Sequence, residues 1–181
     1  MTPEDYLLSL GLSKELVVFL IATLPIVELR GAIPVAINVL DMPWYSAFAL
    51  AFLGNLLPVP FILLFLEAVT RVLNRIAFFK RLLDWLFERT RRRGRMLEKY
   101  KRIGLVLFVA IPLPVTGAWT GSLIAVLFGM PFKHAFLSIA IGVAIAGAIV
   151  TSLSLLGWVG AIIAGVALST LAISGLWRLK D

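Results

Sequence analysis

Long stretches without a charged residue constrain the fold of this chain more than any other feature. Two of them are 42–66 and 135–177. A transmembrane helix needs about 20 predominantly apolar residues at a rise of 1.5 Å each. The first stretch is therefore long enough for one span and the second for two. Because 61% of the residues are hydrophobic, a share far above that of soluble domains, we expect an all-α integral membrane protein.

The sequence also contains an internal repeat. Residues 42–54 begin with Met-Pro-Trp and continue with Ala-Phe and a final Gly, and residues 130–142 show Met-Pro-Phe, Ala-Phe and Gly at the same offsets. Upstream of each copy lies a proline-interrupted apolar run with a Gly-Ala pair, at 31–32 and at 117–118. Duplicated hydrophobic units are typical of transporters, whose two related halves enclose a site near the middle of the bilayer. The repeat therefore favours a transporter.

Helix-breaking residues interrupt the apolar runs 16–40 and 103–132. A proline inside a helix costs about 3 kcal/mol or more, and two prolines with neighbouring glycines indicate a break. We expect each run to form two half-helices, 103–111 and 119–128 in the second run, and to return to the side of the membrane from which it entered. Non-helical backbone at this depth must be covered by protein or water, so the two re-entrant hairpins are expected to face each other. The residues assigned to the breaks are Pro25, Gly31, Pro34, Pro112, Pro114 and Gly117.

The distribution of charge sets the expected orientation. Twelve of the 17 Lys and Arg residues lie between Arg71 and Arg102, with only three acids, and the positive-inside rule places such a segment in the cytoplasm. We therefore expect a multi-pass protein of the inner (plasma) membrane, with an outside N-terminus, a cytoplasmic C-terminus and an inverted repeat. Its expected units are a first half (1–70), a basic amphipathic connector (71–102), a second half (103–157) and a C-terminal transmembrane helix (158–181). The connector is expected to contact anionic lipid headgroups and not nucleic acid.

Glu28 and Arg30 lie between the prolines of the first run, near the expected tip of its hairpin. Charged side chains at membrane depth cost at least ~2.5 kcal/mol on insertion scales and mark substrate, ion or proton pathways by default. Burial disfavours the ionised form of a carboxyl group, so Glu28 is a candidate proton carrier. The planar guanidinium of Arg30 suits a phosphate or carboxylate group. In the alternative interpretation the two side chains form an ion pair that only stabilises the loop.

The second run contributes polar side chains but no charge. Thr116, Trp119 and Thr120 are candidate donors to a substrate at the hairpin tip. Gly117 and Gly121 form a GxxxG pattern, and close packing of helices is the alternative explanation of these glycines.

Asn55 is a further candidate for the substrate or ion site. It faces Glu28 and Arg30 only if the two halves of the chain form an inverted repeat. Alternatively, its amide satisfies the backbone carbonyls that Pro58 and Pro60 leave free. With no cysteine and one histidine, and without a glycine-rich phosphate loop or a nucleophile elbow, the sequence leads us to expect no metal, no cofactor and no enzyme.

The segments 28–34, 54–55 and 112–121 resemble the family named "putative small multidrug export protein", which is itself similar to the DedA/VTT superfamily of membrane proteins. They read Glu-Leu-Arg-Gly-Ala-Ile-Pro, Gly-Asn and Pro-Leu-Pro-Val-Thr-Gly-Ala-Trp-Thr-Gly. The similarity extends over roughly 15–157, and it implies opposed re-entrant hairpins with helices packed around them.

The resemblance also implies a function. In bacterial DedA relatives that function is lipid translocation, the recycling of undecaprenyl phosphate, coupled to a proton or ion gradient. Glu28 matches the acidic position of the first hairpin. DedA relatives also have essential arginines in the second hairpin, whereas 103–132 carries no charge here and Arg30 is the one candidate.

Two hypotheses about function follow. In the first, the protein is a membrane transporter or lipid flippase that translocates a small amphipathic or lipid-phosphate substrate, with membrane lipids and a proton or ion gradient as partners. In the second, it is a structural or scaffolding membrane protein; an intramembrane lipid enzyme is a third interpretation. Because so few helices leave the hairpins poorly covered, we also expect a homodimer.

Overall fold

The computed structural model describes residues 11–73, 94–112, 116–157 and 159–160. All regular secondary structure in these ranges is helical, which confirms the all-α class for this part of the chain. The expected connector lies mostly outside the described residues, and so does almost all of the expected C-terminal transmembrane helix. The helices are α1 (Lys14–Thr23), α2 (Glu28–Asn38), α3 (Trp44–Leu56), α4 (Pro58–Leu73), α5 (Gly94–Ala110), α6 (Ala118–Leu127) and α7 (Phe132–Leu155).

Two helical stretches in the described part of the chain are long and apolar enough to cross a membrane. One is Trp44–Leu66, in which α3 continues into α4 through Leu57, and the other is α7. Pro58 begins α4 without disturbing the span, because the first residue of a helix has no intrahelical partner for its N–H group.

The exposed side of α7 carries a row of large apolar side chains, while several of its polar side chains are buried. Ser138, Thr151 and Ser154 are buried. A helix on the surface of a soluble protein shows the opposite distribution, so α7 presents an apolar surface to its surroundings, as a membrane span does. The exposed apolar side chains that follow one another at intervals of about one turn are Leu137, Ile141, Ile145 and Ile149.

The chain leaves helical structure at two of the expected places. The first break covers 24–27 and contains Pro25, and the second includes 111–112, with Pro112, and 116–117. Pro114 falls outside the described residues. The helix after the second break, α6, agrees to within one residue with its expected half-helix, whereas α5 begins inside the segment that was expected to be connector.

Pro34 does not break the chain, so that interpretation is wrong. It lies inside α2, which continues to Asn38. A proline removes one hydrogen bond of the helix and tends to kink it, and contacts with neighbouring helices can hold the turns on either side together. Gly31 also lies inside α2, where a Cβ atom would overlap the side chain of Val27. Its role is to leave room, not to end a helix.

We call α1 and α5 the first arms and α2 and α6 the second arms of the two halves. In each half, a lysine at the start or middle of the first arm reaches the end of the second arm. Lys14 Nζ donates to the backbone oxygen of Leu40 at 2.9 Å, and Lys101 Nζ donates to that of Phe128 at 2.9 Å. Carbonyl groups at the end of a helix have no intrahelical partner. The two lysines therefore make equivalent contacts, which we call the lysine ties.

The turns that follow the second arms also match. Asp41 has a φ of 50°, and Gly129, at the equivalent position, has a φ of 61°. This left-handed conformation suits glycine and is uncommon for other residues. Pro43 and Pro131 then precede α3 and α7 with nearly the same backbone angles.

Repeated glycines bring each first arm close to the long helix of its own half. A Cβ atom on Gly54 would collide with the backbone oxygen of Phe19 in α1, and one on Gly142 would lie 2.9 Å from the backbone oxygen of Val106 in α5. The glycine that ends each sequence repeat therefore has the same packing role in both halves.

The two halves interlock through their second arms. The first arms α1 and α5 pack along α3 and α7, within their own halves. The second arms reach across: α2 contacts α7 as well as α3, and α6 contacts α4 as well as α7. This exchange places the break of one half beside the break of the other.

Candidate functional site

The two breaks meet, and each receives a hydrogen bond from the opposite half. Arg30, in α2, donates from Nη2 to the backbone oxygen of Ile111 in the second break at 3.3 Å. Trp119, in α6, donates from Nε1 to the backbone oxygen of Thr23 at the edge of the first break at 3.2 Å. Both carbonyls come at or after the last turn of a helix, where no intrahelical donor remains. We call this meeting point of the two breaks the junction.

Glu28 begins α2 at the junction in an unusual backbone conformation. Its φ is 51°, which for a residue with a Cβ costs of order 1–3 kcal/mol and occurs preferentially at functional sites. The residue is 3% exposed, and its N–H group donates to the backbone oxygen of Leu24 at 3.0 Å. The left-handed turn directs the carboxylate at the opposite half.

The Glu28 carboxylate lies at the N-terminus of α6. Its Oε1 accepts a hydrogen bond from the backbone N–H of Trp119 at 3.5 Å. The residue that precedes α6 is Gly117, which has no side chain to cap the helix. A carboxylate is favourable at a helix N-terminus because free N–H groups and the helix dipole both attract negative charge. Glu28 thus acts as a cap supplied by the other half.

Gly117 is in the second break, as expected, but the structure gives it a different role. Its φ of −166° is extended backbone that any residue adopts. A Cβ atom here would overlap the Glu28 carboxylate, so the glycine leaves room for that group.

Arg30 connects the charged pair to the second break. Its Nη1 lies 3.3 Å from Glu28 Oε2, and its Nη2 donates to Thr116 Oγ1 at 3.4 Å in addition to Ile111. The side chain is 17% exposed, and its Nε is buried without a hydrogen-bond partner. The Nε–H group is thus one of the five guanidinium donors that has no acceptor among the described residues.

The two threonines lie at the junction and bond locally. Thr116 Oγ1 donates to the backbone oxygen of Ile111 at 2.8 Å, and Thr120 Oγ1 accepts from the backbone N–H of Gly117 at 3.0 Å. The structure thus brings five of the six candidate residues to one place: Glu28, Arg30, Thr116, Trp119 and Thr120.

Asn55 is the sixth candidate, and it makes no hydrogen bond to the junction. It is 1% exposed, and both atoms of its amide lack a partner. The alternative in which the amide satisfies carbonyls freed by Pro58 and Pro60 is therefore wrong. Thr151, in α7, has a buried hydroxyl that is equally unpartnered. Thr151 was not among the candidate residues predicted from the sequence, although a threonine inside a long apolar span is a recognisable sign of a buried polar group.

Chemically, the junction offers a carboxylate, a guanidinium with a spare donor and a helix N-terminus. Such a set can bind a proton, an anionic group or both in exchange. Among the described residues, no group of three His, Cys, Asp or Glu side chains is placed to hold a metal ion.

Comparison with known proteins identifies the family. The family model described as "Putative small multi-drug export protein" matches residues 28–149. The match begins at Glu28, includes the first long apolar stretch of helix and the second break, and ends within α7. No curated protein and no solved structure matches the chain. Since the match covers more than half of the sequence, the chain belongs to the putative small multi-drug export protein family.

Proposed function

We propose that this membrane protein exports an amphipathic molecule with an anionic group by alternating access, and that the junction is its binding site. The description of its family suggests a transporter, and the two long apolar stretches of helix suggest a membrane location. On this proposal the protein moves its substrate without changing covalent bonds. A lipid phosphate is the substrate class we favour, because Arg30 is the recognition group and a planar guanidinium pairs well with phosphate.

The observation that carries the proposal is the bonding of Arg30. One guanidinium holds Glu28 of its own half and Ile111 of the other half, while its Nε remains unpartnered. An anionic group that pairs with Arg30 competes with both contacts. Binding then weakens the link between the halves, which is the differential interaction that a change of conformation requires.

Glu28 supplies the coupling in this proposal. A proton on its carboxylate removes most of the attraction to Arg30 and frees the guanidinium for substrate. When the proton leaves, the ion pair forms again and the substrate is expelled. Proton and substrate thus alternate on one pair of side chains.

Alternating access requires two halves of opposite orientation, and we propose that the arms form re-entrant hairpins in an inverted repeat, as in the DedA/VTT superfamily. The matching lysine ties and turns support two related units. A Cβ on Gly147, in the second half of α7, would lie 2.8 Å from Phe48, near the start of α3. This contact pairs an early residue of one span with a late residue of the other, as an antiparallel crossing does. We further propose the inner membrane, with the basic connector in the cytoplasm, and a homodimer that covers the exposed apolar faces.

A reconstituted transport assay tests the proposal. Downhill flux is measured in liposomes for undecaprenyl phosphate, phosphatidylglycerol and phosphatidylcholine, with native protein, Arg30→Gln and the control Lys133→Gln, which removes an exposed cation outside the junction. We expect flux of the two anionic lipids, undecaprenyl phosphate and phosphatidylglycerol, that Arg30→Gln abolishes and Lys133→Gln preserves, and little flux of the zwitterionic phosphatidylcholine. Equal flux through native protein and Arg30→Gln would refute the assignment of the site.

One observation favours the scaffold alternative: Glu28 is almost sealed from its surroundings. If the pair were only structural, no substrate would show flux above that of empty liposomes. Glu28→Gln and Arg30→Gln would then lower stability alone.

A further inference from the structure

The two halves contain pockets at equivalent places, and the pockets differ in charge. We call them the basic pocket and the acidic pocket. The basic pocket is lined by Lys101, Arg102, Gly129, Met130, Pro131 and His134. The residues that line the acidic pocket include Lys14, Glu15, Asp41, Met42, Pro43 and Ser46. Each residue of the first list has its repeat partner, in order, in the second.

Each pocket contains a lysine at the equivalent position, and this lysine already has a structural role. Lys14 and Lys101 form the lysine ties to Leu40 and Phe128. The lysine ties are alike although the other polar side chains of the two pockets differ in charge. The turns after α2 and α6 therefore do not require those side chains to carry a particular charge. Their charge can therefore differ between the two halves without loss of the tie.

In the basic pocket, Arg102 stands where the acidic pocket has Glu15, and His134 stands where it has Ser46. Several cationic or donor groups around a concave site raise the local positive potential and concentrate anions there. Arginine suits phosphate particularly well because it offers several donors in a fixed plane.

The position of the basic pocket indicates which class of anion it binds. It lies at the start of α7, one of the stretches long and apolar enough to cross a membrane. The end of a membrane span lies at the level of the lipid headgroups, and basic pockets at that level on the cytoplasmic side bind anionic headgroups. Its volume of about 30 Å³ exceeds the ~10–15 Å³ that one water molecule needs, so a phosphate oxygen fits inside it.

We infer that the basic pocket binds the phosphate of an anionic membrane phospholipid as a resident ligand. One phosphate oxygen enters between Arg102 and His134, and the acyl chains lie along the exposed apolar face of α7. The acidic pocket does not bind this lipid. The inference rests on the proposed cytoplasmic location of the start of α7, and not on transport at the junction.

Native mass spectrometry of the purified protein in a neutral detergent tests the inference. Phosphatidylglycerol and phosphatidylcholine are titrated separately, and inorganic phosphate is then added as a competitor. The double variant Arg102→Glu/His134→Ser converts two residues of the basic pocket to those of the acidic pocket. The control Lys133→Glu makes the same change of formal charge as Arg102→Glu outside the pocket lining. Circular dichroism and size-exclusion chromatography verify that each variant folds.

We expect native protein to retain phosphatidylglycerol in preference to phosphatidylcholine. The double variant is expected to lose about tenfold in affinity for phosphatidylglycerol, which corresponds to ~1.4 kcal/mol, while flux at the junction persists. The control is expected to lose less than about twofold, as for an exposed charge. Equal losses in variant and control, or no loss in either, would overturn the inference. Displacement of the lipid by an equal concentration of inorganic phosphate would overturn the assignment to a lipid.

Discussion

The Glu28 carboxylate occupies the space in which a side chain at Gly117 would lie. The acid belongs to the first half of the chain and the glycine to the second, so the two residues fit together only while the breaks of both halves are in contact. The absence of a side chain on Gly117 thus determines where the charged pair sits. It also gives the first prediction.

A methyl group on Gly117 should displace Glu28. We expect Gly117→Ala to lower the free energy of unfolding by ~1–3 kcal/mol through overpacking, and to abolish transport because the pair with Arg30 is lost. SDS titration of the protein in mild detergent measures the stability. The control is Gly104→Ala in α5, where a Cβ would meet nothing within 4 Å; it should stabilise the helix by ~0.5–1 kcal/mol. Equal effects of the two substitutions would contradict the packing at the junction.

The lysine ties should contribute equally to stability. Lys14→Met and Lys101→Met each remove one hydrogen bond of 2.9 Å and keep the apolar part of the side chain. We expect each to cost ~0.5–1.5 kcal/mol and the double variant to cost the sum, since the ties lie in different halves. Lys133→Met serves as the control for loss of an exposed lysine. An effect confined to one of the two ties would show that the halves are not equivalent.

Asn55 is expected to lower the stability of the protein and to contribute to transport. A buried amide without partners costs ~1–3 kcal/mol, so Asn55→Leu should raise the midpoint of unfolding. If the amide meets substrate during transport, the same variant should lower flux, as stabilising changes at functional sites often do. Asn38→Leu, at an exposed asparagine, should change neither quantity. A variant that is both more stable and fully active would remove Asn55 from the site.

The proposed orientation can be tested with single cysteines, because the chain has none of its own. Glu15→Cys and Lys133→Cys replace exposed residues that lie at the start of α1 and of α7. In an inverted repeat, a membrane-impermeant maleimide should label the first only from outside and the second only from the cytoplasmic side. Labelling of both from one side of sealed vesicles would exclude the inverted arrangement.

The sequence predicted the parts of the fold that depend on local chemistry. Pro25 and Pro112 marked the breaks correctly, since proline near the middle of an apolar run disturbs any helix. Pro34 looked the same in sequence but lies within α2. Whether a proline kinks a helix or ends it depends on the packing around it, which the sequence does not show.

For the junction, the sequence supplied the residues but not their contacts. Glu28 and Arg30 stood out because charge is rare in such apolar runs. That Arg30 reaches Ile111, and that Asn55 lacks any partner, are tertiary properties without a local signal. The lysine ties did have a sequence signal: Lys14 and Lys101 occupy equivalent positions just before the apolar runs 16–40 and 103–132. A lysine near the end of a helix is usually solvated, which is why they were not singled out.

The central claim is that Glu28 exchanges a proton while Arg30 exchanges the substrate. Accumulation of substrate driven by an imposed pH gradient, measured in proteoliposomes of native protein, Glu28→Gln and the control Glu15→Gln, tests it most directly. The account predicts that native protein and Glu15→Gln accumulate substrate against its gradient, whereas Glu28→Gln shows at most downhill exchange. Accumulation by Glu28→Gln at the native rate would contradict it.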